Sequence, residues 1–169
     1  MFNGCFNLTS TPALPATTLK PYCYQSMFEG CTSLKIVQDL PATTLAEGCY
    51  WGMFAGCTNL KTAPNILFNA VSLNSCYRMF YGCYNLITPP SVLRAETLSA
   101  NCYQQMFEGC TSLTATPYFP ANEVAENCCY GMFSGCTNLT QISIPPATVM
   151  KAECYENMFH SCTSLTSVP

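Results

Sequence analysis

The chain has 169 residues, about half of them hydrophobic and only 9% charged, with a formal net charge of −3. That length suits one domain with a substantial core, and the scarcity and sign of the charge exclude the basic stripe that nucleic-acid binding needs. No apolar run approaches the roughly 18 residues required to span a membrane, so no membrane insertion by this segment is expected.

The opening stretch MFNGCFNLTSTP introduces a pattern that returns along the whole length. Met-Phe stands at Met1, Met27, Met53, Met79, Met106, Met132 and Met158, at intervals of 26, 26, 26, 27, 26 and 26. A cysteine follows each Phe by three places (Cys5 through Cys162), and a leucine follows each cysteine by three (Leu8 through Leu165). A second cysteine column precedes Met-Phe, at Cys23, Cys49, Cys76, Cys102, Cys128 or Cys129, and Cys154. Its companion is a tyrosine column at Tyr24, Tyr50, Tyr77, Tyr103, Tyr130 and Tyr155. A fixed period of this length marks a solenoid, in which no unit buries its own apolar side chains and stacking buries them against neighbours. One solenoid over 1–169 is predicted, with units starting at 1, 27, 53, 79, 106 and 132 and a partial unit at 158–169. Neither terminal unit has the polar character of a cap, so the array is expected to be open-ended or a fragment of a longer one.

Each unit has two halves. Leu139, Ile142 and Ile144 read as a short strand with inward apolar side chains, which a proline then ends because it cannot continue a ladder. The stretch from Ala46 to Ala55 places Cys49 with Met53, and Tyr50 with Phe54, at helical i, i+4 spacing. Thr44 and Glu47 have capping-box spacing, and Gly56 stands where a helix would stop. The predicted fold is an α/β repeat solenoid like a leucine-rich-repeat stack. It has a short parallel β-sheet on one face and short helices or 3₁₀ turns on the other.

The run Met27, Phe28, Gly30, Cys31, Thr32, Ser33 and Leu34, followed by Pro41 to Leu45, resembles the bacterial surface leucine-rich repeats of the Treponema type, also called BspA-like. The resemblance extends over the whole chain, although the usual family unit is nearer 23 residues and has Ala-Phe where Met-Phe stands here. It implies extracellular, cell-surface proteins of adhesion or recognition, without catalytic residues.

The cysteines admit three readings: a metal site, disulfides or buried thiol ladders. Spacings of 8 and about 18 residues do not bring four ligands together as zinc requires. Same-column cysteines lie close but with parallel Cβ directions, which disfavours bridging. Buried thiols are the expectation, with no metal and no cofactor. His160, the one histidine, occupies a column shared with Asn3, Glu29, Ala55, Tyr81, Glu108 and Ser134, and therefore reads as a surface residue.

Binding is expected on the concave strand face, where such solenoids most often bind. Its outward residues are predicted to be Ser10, Ile36, Thr62, Thr88, Ala115 and Gln141, two places after each leucine, with Gln38 and Ser143 two places further on. The partner would be a protein or glycan on a surface. The other expectation is a structural subunit that stacks on copies of itself into a filament, through Met1, Phe2 and Leu8 at one end and Met158, Phe159 and Leu165 at the other. Neither face offers a nucleophile–base pair, so no enzyme is expected.

Overall fold

The computed structural model describes residues 1–167; Val168 and Pro169, at the tip of the predicted partial unit, lie outside the described residues. The chain winds into successive coils whose Phe rings stack in one file. From Phe2 through Phe28, Phe54, Phe80, Phe107 and Phe133 to Phe159, neighbouring centroids are 5.4–5.6 Å apart and interplanar angles are 2–11°. Met, Phe, Leu and most Cys columns form one continuous buried core along this axis.

The strand half is broken into three short parallel columns. The first is seen in Ser10↔Ile36, Thr62↔Thr88 and Ala115↔Gln141, and the second in Leu40↔Ile66 and Val92↔Tyr118. The third joins Thr18, Thr44 and Ala70 and includes the parallel sheet β1 (Thr97–Leu98), β2 (Glu123–Val124) and β3 (Val149–Met150), in that order. Prolines such as Pro64, Pro90 and Pro117 fall between the columns and interrupt the ladder, because they have no N–H to give it. The single extra residue of the 27-residue interval lies between Thr88 and Val92, around Pro89-Pro90. Ile144, expected to point inward, is 45% exposed instead.

The other half forms neither α-helix nor 3₁₀ helix among the described residues. It is a chain of β-turns with a left-handed residue at every fourth place: Gly48, Gly52 and Gly56 in one coil, Asn74, Arg78 and Gly82 in the next. A right-handed helix cannot contain such residues, whereas a type II turn requires one in third position. The backbone groups divide into two alternating sets. Cys49, Trp51, Met53 and Ala55 donate locally, to the carbonyl three residues back, while Gly48, Tyr50, Gly52, Phe54 and Gly56 donate to carbonyls of the next coil. Every N–H from Gly48 to Gly56 is satisfied in this way, half within the coil and half between coils. The i, i+4 burial that suggested a helix is real, but it comes from a period of four, two residues in and two out.

This register also corrects two columns. Ser75, not Cys76, takes the cysteine place in its coil, so Cys76 stands in the tyrosine place and Tyr77 one place later, beside Trp51 (4.9 Å, edge-to-face). Cys128 and Cys129 likewise fill the cysteine and tyrosine places, both fully buried, and Tyr130 moves outward.

Candidate functional site: two solvent-facing sides around a thiol-laddered core

The cysteine column after Met-Phe has a structural task. Each thiol donates to the Phe carbonyl of the preceding coil: Cys57 to Phe28, Cys83 to Phe54, Cys110 to Phe80 and Cys136 to Phe107, all at 3.1–3.2 Å. The same carbonyl already accepts a backbone N–H, as Phe28 does from Cys31, so both of its lone pairs are used. A small, buried, weakly donating side chain fits that place.

All fourteen cysteines are free thiols. Twelve are buried; Cys5 and Cys23 are exposed, contrary to the expectation of burial throughout. Desolvation raises most of the buried thiols, Cys128 excepted, which the Cys129 thiol beside it lowers: it pushes Cys49 and Cys83 up to about 12 from an ordinary 9.0. Cys76, Cys102 and Cys110 lie well above their usual range for the same reason. Among the described residues no three His, Cys, Asp or Glu side chains converge in a way that could hold a metal ion.

A pH dependence follows. A thiol whose folded-state pKa exceeds its unfolded value contributes stability that is complete below the unfolded pKa and is lost as pH rises through the folded one. Thermal melting should therefore show little thiol-linked loss below pH 9 and a progressive fall from pH 9 toward 12. A melting temperature flat across that window would contradict the neutral-ladder picture.

On the strand side, Ser10, Ile36, Thr62, Thr88 and Gln141 are exposed and Ala115 half-buried, aligned by the first bridge column. The column two places on is less open than expected. Gln38 is exposed and Ser143 half-buried, but Pro64, Pro90 and Pro117 are buried. The sequence reading missed several large apolar side chains on this side, namely Leu67, Ile87, Tyr118 and Ile144, which are 45–52% exposed. For Leu67, Ile87 and Tyr118 the clue was position, since each falls beside a buried leucine, phenylalanine or isoleucine.

Of the residues assigned to the ends, Met1 is exposed and Phe2, Leu8, Phe159 and Leu165 are half-buried. Met158, expected on an open face, is only 4% exposed. Its place among the buried methionines is filled by its own coil and the one before it, to which its carbonyl is bonded by Phe133 N–H.

On the turn side, outward residues recur in pairs. Arg78 lies over the rings of Tyr77 and Tyr81, at 5.1 and 5.0 Å, and its Nε donates to Gln105 Oε1 at 2.9 Å. Asn157 Nδ2 donates to the Tyr130 hydroxyl at 3.3 Å. His160 is exposed among these residues, as its column predicted.

No helix of the described residues is long and apolar enough to cross a membrane. No curated protein matches the sequence. Among solved structures, the chain is similar to a leucine-rich repeat protein from Bacteroides ovatus, with 20% identity and a TM-score of 0.41 over 85% of this chain and 39% of that one. The chain thus spans well under half the length of that relative. A family model described as "BspA type Leucine rich repeat region (6 copies)" matches residues 78–169. That match covers more than half of a chain whose coils repeat the same Met-Phe, Cys and Leu columns from end to end. The chain belongs to the BspA-type leucine-rich-repeat family.

Proposed function

We propose that the protein is a non-catalytic recognition module that works outside the cell, at a bacterial surface, and binds a protein partner through its strand side. The observation that carries this is the exposure of Ile36, Leu67, Ile87, Tyr118 and Ile144 along that side, 45–59% each. Large apolar side chains left in solvent on a rigid scaffold mark contact surfaces. The small neutral residues between them, Thr62, Thr88 and Ala115, let a partner approach closely. Family membership supports the surface location.

Cells displaying the protein should adhere to an immobilised extract of surface proteins from neighbouring cells. The double substitution Ile36→Asp with Ile87→Asp should reduce adhesion about tenfold or more, since each buries a charge in the contact. Adhesion equal for the wild type, the variant and cells without the protein would end this reading.

A second reading, a structural subunit that stacks into filaments, is favoured by the polarity of the turn ladder. On the turn side the alternate N–H groups of each coil donate to carbonyls of the coil after it, as Phe54 does to Met79 and Phe80 to Met106, so coils of separate chains would join there in one sense, head to tail. Sedimentation separates the two: a recognition module keeps its size with concentration, whereas a stacking subunit lengthens.

A further inference from the structure

The turn side carries a surface of different chemistry from the strand side. Two depressions of about 230 and 310 Å³ lie side by side on it, each crossing successive coils, and adjoin across the shared Glu108 and Ser134 as one broad, shallow trough. Gly82, Gly109 and Gly135 line its floor, all with left-handed φ of +66° to +74° and backbones closely stacked. A Cβ built on Gly82 or Gly109 would lie 3.9 Å from the Tyr84 ring. That ring therefore rests on the glycine backbones, and with 53% of the residue exposed its other face is open to solvent.

Beyond Tyr84 the trough presents planar hydrogen-bonding groups. Gln105 uses Oε1 for Arg78 and keeps both amide N–H donors; Asn157 uses Nδ2 and keeps its Oδ1 acceptor. The Glu108 carboxylate and the Ser134 hydroxyl lie between them. We infer that this trough binds a neutral, extended glycan. An open phenol face suits the C–H face of a sugar ring, and planar amides and a carboxylate suit pairs of neighbouring hydroxyls.

Three observations select this ligand class. The coils beneath the trough repeat at ring separations of 5.4–5.6 Å, close to the length of one sugar ring in an extended chain, so successive sugars would lie over successive coils. A peptide strand would need free backbone groups to pair with. Here the floor N–H groups of Gly82, Gly109 and Gly135 are already bonded to Glu108, Ser134 and His160 carbonyls. An anionic polymer would meet the Glu108 carboxylate, while the Arg78 guanidinium is held outside the trough over two tyrosines.

This inference is independent of the strand-side reading, and either can fail alone. The test is calorimetric titration of the whole protein with neutral cello- and chito-oligosaccharides of increasing length, extended to an array of neutral and acidic glycans. Affinity should rise with length until the trough is spanned. Tyr84→Ala should weaken binding about tenfold, and Glu108→Ala should weaken it too. Tyr84 is exposed and Glu108 half-buried, and an unchanged melting temperature would show that the fold is kept; Tyr84→Phe should restore most of the affinity. Absence of binding to every neutral glycan, preference for acidic ones, or unchanged affinity in both alanine variants would overturn the inference.

Discussion

Phe80→Ala is expected to destabilise the protein by about 3–5 kcal/mol, among the largest losses that one substitution can cause here. Phe80 is fully buried and its ring lies between those of Phe54 and Phe107, at 5.6 and 5.4 Å. Its removal opens a gap in the middle of the file, and the coils on either side are held apart by their backbone ladders, so the gap cannot close. Phe2→Ala should cost clearly less, because Phe2 is half-buried and stacks on one ring only, Phe28. Denaturant unfolding of both variants measures the difference. Equal losses would mean that the coils do not stabilise one another as nearest neighbours.

Phe68→Ala should be comparably severe, about 3–5 kcal/mol, although Phe68 stands in a column of alanines: Ala16, Ala42, Ala95, Ala121 and Ala147. The reason lies across the core. Its own coil has Cys76 in the tyrosine place, and the Phe68 ring takes up the missing volume. It lies 6.3 Å from Tyr103 of the next coil, much as Tyr24 lies 6.1 Å from Tyr50. The two substitutions should therefore be coupled. Cys76→Tyr alone overpacks the coil and costs about 1–3 kcal/mol. Phe68→Ala with Cys76→Tyr recreates the Ala42 and Tyr50 arrangement and should recover most of the loss, with a coupling energy of about 1–3 kcal/mol. Simple additivity in the double-mutant cycle would show that the exchange of volume is not real. Phe119 and Cys129 repeat the exchange in another coil, with the phenylalanine in a column of Leu14, Leu40, Ile66 and Leu93.

The repeat, its phase, the stacked core and the family were all legible in the sequence. A column buried between coils is restricted in the size and polarity it accepts, so stacking writes itself into the spacing of Met-Phe, Cys and Leu. His160 could be placed on the surface for the same reason, since a column that accepts Glu29, Ala55 and Tyr81 is not a packed one. The turn half was misread because burial at i and i+4 is common to a helix and to a chain of turns with a period of four. The discriminating signal was present in Gly48, Gly52 and Gly56, and in Asn74, Asn101 and Asn127, residue types that tolerate left-handed φ. It was hidden by Tyr22, Arg78, Gln105 and Glu153, which adopt the same conformation against their preference. Of these, Tyr22, Arg78 and Gln105 are held there by the N–H bond that each gives to the next coil, and those bonds exist only once the coils have stacked. Tertiary structure alone decided the places of Cys76 and Tyr77, of Cys129 and Tyr130, and the outward turn of Ile144. In each case a residue's neighbours in the sequence are the same whichever column it enters, and only volume across the core or a bond to the next coil distinguishes the two. The trough on the turn side was beyond the sequence for the same reason. Tyr84, Glu108 and Asn157 belong to three different coils, and only the winding of the chain brings them to one surface.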